Sequence, residues 1–174
     1  HGDKLGLLVC LNQDTMDRHL QLMGPGSAVL YNGDNITPGE AADGVQMCPL
    51  PVAELSNTRI RLSQNTMAVG SAAYLLGLDF EVLEESLTLR FQRQGQAVID
   101  ENVGVARAGY DHAVANFKAF AQTVPTGPKP LAVWSGNDAL AMGGAAAGVK
   151  FYAAYPMSPA TGVLHWMAQN ARNL

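Results

Sequence analysis

Residues 5–48 read LGLLVCLNQDTMDRHLQLMGPGSAVLYNGDNITPGEAADGVQMC, and this stretch decides the fold. Two short runs within it, LGLLVCL at 5–11 and SAVLY at 27–31, are almost continuously apolar. A strand with apolar residues at successive positions is buried on both faces, which is how strands of parallel sheets read. Residues 15–23 between the runs predict a helix, stopped by Gly24-Pro25-Gly26 because Gly ends helices and Pro cannot continue them. Asn32-Gly33-Asp34-Asn35 reads as a turn. Residues 45–48 predict a third strand, followed by the Pro-punctuated stretch 49–51.

Helices follow. Asn65 is expected to cap a helix over 66–76 that ends at Gly77. Asp79 is expected to cap the next, with Glu81 favourably placed in its first turn. Phe80, Leu83, Leu87 and Phe91 recur at spacings of three and four and share one face. Gly95 interrupts. From 96 to 121, Ile99, Val103, Ala106, Tyr110, Ala113, Phe117 and Phe120 predict the packed stripe of a helix of about 25 residues. Gly104 and Gly109 lie within it, where Gly lets a neighbouring element approach closely. TVPTGPKP at 123–130 holds three prolines and a glycine and predicts a linker. Beyond it, Ser135 or Asn137 can cap a helix over 138–149, residues 150–154 predict a brief strand, 155–159 a loop and 160–170 a last helix. This piece has too few elements to bury its faces and reads as the start of a domain. The fold class is α/β: a partial Rossmann-like parallel sheet with long C-terminal helices, then the start of a second α/β domain. The expected division is 1–122, a linker at 123–134, and 135–174.

Composition narrows the function. A net charge of −4 without a basic run or stripe argues against nucleic-acid binding. No apolar stretch reaches the roughly 18 residues of a membrane span, and His1-Gly2-Asp3-Lys4 lacks a secretory signal's apolar core; a cytoplasmic protein is expected on the apolar setting of its two cysteines. Cys10 and Cys48 form no C-x-x-C pair, so no zinc or iron–sulfur site is expected. Their apolar surroundings favour reduced core thiols; a disulfide between them is the alternative. His19, His112 and His165 lack metal-ligand spacing. Ser71 and Ser86 lack the G-x-S-x-G context of a hydrolase nucleophile. No G-x-G-x-x-G follows a strand.

The loop Tyr155-Pro156-Met157-Ser158-Pro159 is the most informative short motif. Each proline restricts the residue before it to extended backbone. Pro159 suits the first position of the final helix, with Ser158 as its cap. One reading stops there. The other uses the same geometry: a helix N-terminus offers free amides to a carboxylate, and a hydroxyl beside them can donate to a small acid. On that reading Ser158, Tyr155 and Pro156 form a substrate-binding loop, and no catalytic residue or metal ligand is expected in the chain.

From Gly136 onward, GNDALAMGGAAAGVKFYAAYPMSPATGVLHWMA resembles the opening of the pyrimidine-binding alpha domain of 2-oxoacid:ferredoxin oxidoreductases. That family reads G-N-E-A, an Ala/Gly-rich helix, then Y-P-I-T-P-S-S. Here Asp138 stands for the Glu, Ser158 for the Thr and Ala160-Thr161 for the Ser pair. NTMAVGSAAYLLGLDFEVLEESL from Asn65 and NVGVARAGYDHA from Asn102 resemble the family's gamma domain, which some members fuse ahead of the alpha chain. The resemblance implies oxidative decarboxylation of a 2-oxoacid such as pyruvate or 2-oxoglutarate to an acyl-coenzyme A, with electrons passed to ferredoxin. It implies thiamine diphosphate, magnesium and iron–sulfur clusters in the parent complex, none held by this chain alone. It implies a beta subunit as partner and an oligomer. The substrate contact of the family's Thr falls on Ser158, which keeps the hydroxyl and loses the methyl.

The resemblance also implies a gamma domain lacking its N-terminal Gly-rich segment, and an alpha domain lacking the Glu that activates the thiamine aminopyrimidine. The isolated chain is therefore expected to show no turnover. Two other readings compete: a non-catalytic gamma-type scaffold that mediates assembly and touches coenzyme A, and a stand-alone nucleotide-binding α/β protein, which the missing glycine fingerprint argues against.

Overall fold

The computed structural model describes residues 5–55, 60–122 and 133–172. It divides into two compact units, 1–125 and 126–174. The expected linker lies almost wholly at 123–132, outside the described residues.

The first unit is built on a three-stranded parallel sheet in the order β1-β2-β3, comprising Leu5–Cys10, Met23–Asn32 and Gln46–Leu50. Leu8 pairs with Val29 and Cys10 with Tyr31, while Leu30 pairs with Cys48 on the other side. Successive side chains of a strand point to opposite faces. Val29 and Tyr31 thus join Leu8, Cys10, Met16, Leu20 and Ile36 on one face. Ala28 and Leu30 join Cys48, Leu50, Met67, Ala68 and Leu75 on the other. Both faces of the sheet are covered, as the unbroken apolar text of the strands requires.

Helix α1 (Gln13–His19) links β1 to β2, with the Asn12 side chain accepting the Thr15 N–H at 2.8 Å as its N-cap. A 3₁₀ turn, Leu20–Leu22, follows it. Gly24-Pro25-Gly26 does not simply stop that helix, as expected, but lies within β2. Met23 is buried and pairs with Leu5, so the chain is already in the sheet there; the ladder then skips to Leu7–Ala28. Pro25 has no N–H to give to a ladder, and Gly26, at φ +81°, donates instead to the Gly44 carbonyl at 2.9 Å. The β2–β3 connection carries no helix and buries Ile36.

Beyond β3 come a single turn α2 (Val52–Leu55), α3 (Ile60–Leu75), α4 (Phe80–Phe91) and α5 (Gln96–Asn116). Asn65 is not a cap: α3 starts five residues earlier, and Gln64 inside it donates to the Leu11 carbonyl at 2.8 Å. Gly77, at φ +72°, ends the helix, with Leu78 N–H bonded to the Ala73 carbonyl and Gly77 N–H to that of Tyr74, a pattern of αL helix termination. Asp79 occupies the N-cap of α4 without a side-chain cap bond. Phe80, Tyr110 and Tyr74 stack edge to face at 5.4 and 5.7 Å, and the Arg107 guanidinium lies 3.5 Å from the Phe80 ring centroid. This cluster ties α4 to α3 and α5.

The expected helix over 96–121 is shorter. It ends at Asn116, whose side chain donates back to the His112 carbonyl at 2.8 Å. Phe117 is extended and both Phe117 and Phe120 reach the core from non-helical backbone. The Gln46 side chain holds this segment by accepting the Lys118 N–H at 3.0 Å and donating to the Lys118 carbonyl at 3.1 Å.

The second unit is a helix pair, α6 (Gly136–Ala146) and α7 (Thr161–Asn170). Ala141 and Val163 are its buried residues. Residues 150–154 form no strand: a strand needs a ladder partner, and among the described residues of this unit no other segment is extended in a sheet.

Candidate functional site

The two stretches that carry the gamma resemblance meet at a helix–helix seam, the first through its α3 part and the second through α5. Thr66 Oγ1 donates to Asn102 Oδ1 at 3.2 Å, and the fully buried Ser71 hydroxyl donates to the Gly109 carbonyl at 2.7 Å. A Cβ at Gly70 would collide with the Ala106 carbonyl, and one at Gly109 with the Met67 carbonyl. The backbones of α3 and α5 touch there, so NTMAVGS and NVGVARAG encode packing. Gly104 meets nothing and is exposed. Ser71 is a seam hydroxyl, a role that its sequence context does not show.

The carboxyl ends of the strands, where open α/β sheets place their ligands, carry a polar chain. Buried Asn32 donates to Gln64 Oε1 at 2.9 Å, and the Asn32 oxygen accepts the Asp34 N–H at 2.9 Å. Asp34 Oδ2 accepts the Ala53 N–H at 2.7 Å. A shallow cavity of about 330 Å³ beside it is lined by Gly33, Asp34, Pro49, His112 and Asn116, among others. These bonds fix the strand ends, and Gln64 extends the chain to the Leu11 carbonyl.

The cysteines sit on opposite faces of the sheet, Cys10 with Leu8 and Val29, Cys48 with Leu30 and Leu50. They belong to β1 and β3, two strand spacings apart, about 10 Å, beyond the about 7 Å a disulfide can bridge. Both are free and buried. Burial pushes the Cys48 thiol up to about 11, and it raises Cys10 as well. Among the described residues no group of three His, Cys, Asp or Glu could hold a metal ion. No helix among them is long and apolar enough to cross a membrane.

In the second unit, Ser135 caps α6 in a reciprocal box: its hydroxyl accepts the Asp138 N–H at 3.1 Å and donates to the Asp138 carboxylate at 2.6 Å. Those bonds from the Ser135 hydroxyl and backbone N–H hold the Asp138 carboxyl below the usual carboxylate range. Asn137 is freed from capping. Its Nδ2 donates to the Pro159 carbonyl at 2.9 Å, at the end of the YPMSP loop.

That loop departs from the expected geometry. Ser158 is not the cap of α7. Ala160 is the N-cap residue and makes no side-chain cap bond; Pro159 precedes the helix rather than opening it. The chain needs one turn, 158–160, to enter the helix axis, and Ala has no side chain to cap with. The Ser158 hydroxyl is exposed and makes no hydrogen bond among the described residues. Pro156 sits at the centre of a tight turn in which the Met157 N–H donates to the Tyr155 carbonyl at 2.8 Å, a geometry suited to proline's fixed φ. Tyr155 is 80% exposed. A cavity of about 320 Å³ lies between residues 149–152 and α7, lined by Lys150, Tyr152, Leu164 and Met167 among others; none of Tyr155, Pro156 and Ser158 lines it. The residue tied to this loop that local sequence does not reveal is Asn137 of α6, which the sequence offers as a cap and within the G-N-E-A match but not as a partner of Pro159.

The family described as pyruvate ferredoxin/flavodoxin oxidoreductase matches residues 1–112. The chain is 28% identical over 131 residues to 2-oxoacid:ferredoxin oxidoreductase 2, subunit alpha, of Aeropyrum pernix, covering 68% of this chain and 20% of that protein. It is 31% identical over 109 residues to subunit alpha of oxidoreductase 1 of the same organism, covering 62% and 17%. Among solved structures, 2-oxoglutarate:ferredoxin oxidoreductase from Magnetococcus marinus, with 2-oxoglutarate, coenzyme A and succinyl-CoA bound, matches 99% of this chain and 31% of its own, with TM-score 0.81 and 29% identity. The gamma subunit of a keto/oxoacid ferredoxin oxidoreductase from Geobacter sulfurreducens shares the fold over 63% of this chain and 64% of its own, with TM-score 0.51 and 21% identity. The chain thus spans about a fifth of the curated relatives and under a third of the first solved neighbour. With the family pattern running through the parallel sheet and both helices of the α3–α5 seam, the chain belongs to the pyruvate ferredoxin/flavodoxin oxidoreductase family.

Proposed function

We propose that the chain is part of the alpha subunit of a 2-oxoacid:ferredoxin oxidoreductase of the fused gamma/alpha type. Residues 1–122 are the later part of its gamma-type domain, 123–134 the linker, and 135–174 the start of its pyrimidine-binding alpha domain. The observation that carries this reading is the match of 99% of the chain to a single 2-oxoglutarate:ferredoxin oxidoreductase chain. It favours an enzyme fragment over an assembly module, because the alignment runs through the YPMSP segment as well as the sheet.

The parent reaction is oxidative decarboxylation of a 2-oxoacid to an acyl-coenzyme A, with electrons leaving to ferredoxin. Ser158, in the loop with Tyr155 and Pro156, donates its hydroxyl to the substrate. It is exposed and uncommitted, as a group that meets a ligand must be. Thiamine diphosphate, magnesium and iron–sulfur clusters serve the parent complex. The described residues do not fit the metal groups: the two thiols are buried on opposite faces of the sheet, and no group of three His, Cys, Asp or Glu among the described residues could hold a metal ion. The cofactor ligands come from elsewhere in the subunit and from a beta-type partner.

The test is 2-oxoacid-dependent reduction of ferredoxin or a low-potential dye by the full-length subunit assembled with its partner, in the presence of coenzyme A. Absence of reduction with pyruvate, 2-oxoglutarate and longer 2-oxoacids alike would end the reading.

A further inference from the structure

We infer that Asn137 is a positioning residue for the substrate loop, and that Gly162 is the notch that admits it; this rests on the function proposed above. Three observations converge. The Asn137 amide donates to the Pro159 carbonyl at 2.9 Å, across 22 residues of chain. Ser135 has already taken the cap of α6 with its box to Asp138, so the Asn137 side chain is not needed there. A Cβ at Gly162, in the first turn of α7, would lie 2.7 Å from Asn137 Nδ2 and 2.9 Å from its Cβ. Asn137 thus lies against the start of α7 while holding the carbonyl one residue past Ser158.

The physical consequence is a defined entry into α7. Neither Ser158 nor Ala160 caps that helix, so the loop lacks the usual local restraint on a helix start. Asn137 supplies one from the neighbouring helix. A hydroxyl that must meet a small anion gains from being held in place before the ligand arrives, because ordering it on binding would subtract from affinity. Asn137 touches no substrate on this scheme; it acts through Pro159 on Ser158.

The experiment uses the full-length subunit in its assembled complex, with Asn137→Ala, Asn137→Gln, Gly162→Ala and Ser158→Ala. Asn137→Ala is expected to raise KM for the 2-oxoacid about ten-fold with KM for coenzyme A unchanged, and to speed amide hydrogen exchange over 157–163. Asn137→Gln, which keeps the amide donor, is expected to recover part of the loss. Gly162→Ala should reproduce the Asn137→Ala phenotype although alanine is the better helix former; a residue with only a structural role in α7 would gain stability and leave KM alone. Unchanged exchange or unchanged 2-oxoacid KM in Asn137→Ala overturns the inference. If Asn137→Ala is silent while Ser158→Ala raises KM, the positioning role alone fails. If Ser158→Ala is silent while Asn137→Ala loosens the loop, the substrate role of the loop fails instead.

Discussion

At the scale of single residues, two side chains make opposite predictions about reactivity. Ser158 presents an exposed hydroxyl with no hydrogen-bond partner among the described residues. On the function proposed above, Ser158→Ala in the assembled complex should raise KM for the 2-oxoacid by about ten-fold or more, because a hydrogen bond to a charged group contributes about 1.5–3 kcal/mol. Steady-state kinetics with the 2-oxoacid varied will show it, and equal KM values would remove Ser158 from the site. Cys48 is fully buried, and burial raises its pKa to about 11. The thiolate is the reactive form, so in the native protein at neutral pH neither Cys48 nor Cys10 should react with a thiol-specific disulfide reagent, while both should after denaturation. Rapid labelling of either in the native state would contradict the burial described here. Both cysteines were legible in the sequence as core thiols; that they lie on opposite faces followed only from the register.

At the scale of elements, the two glycines of α5 separate propensity from packing. Gly104 faces open space and Gly109 faces the Met67 carbonyl. Gly104→Ala should stabilise the protein by about 1 kcal/mol, the helix-propensity difference. Gly109→Ala carries the same propensity gain, yet it forces α5 off α3 and should destabilise by about 1–3 kcal/mol net. Denaturant midpoints of the two variants should therefore move in opposite directions; a shared direction would mean that the seam is looser than described. The stripe Ile99, Val103, Ala106, Tyr110 and Ala113 was readable because helical spacing is periodic. The end of α5 was not, because Phe117 and Phe120 keep helical spacing while the Gln46 side chain holds their backbone extended. The place of Pro25 in β2 is hidden for a related reason: punctuation residues mark a break in one element without saying which element resumes.

For the whole molecule, the buried Cys48 thiol links stability to pH. Its folded pKa, about 11, lies above the ordinary 9.0. Above about pH 9 the unfolded chain loses this proton while the folded protein keeps it, so the native state binds more protons and stability falls as pH rises. The contribution is complete below pH 9 and is lost progressively up to about pH 11. Urea unfolding at about pH 8 and pH 10 should show a lower midpoint at the higher pH, and Cys48→Ala should flatten part of that slope. An unchanged midpoint would place the thiol in water. Local text settled a great deal: unbroken apolar strands imply a sheet buried on both sides, and Gly77 and Gly95 mark helix breaks because Gly readily takes the positive φ that both show in the structure. The tertiary structure alone decided which strand faces meet which helices, where α3 begins and α5 ends, that 150–154 forms no strand, and that Asn137 bonds the Pro159 carbonyl ahead of α7 while Ser158 does not cap it. Those outcomes depend on hydrogen bonds and contacts between residues 22 to 72 positions apart, and local periodicity carries no information about which distant partner a side chain will find.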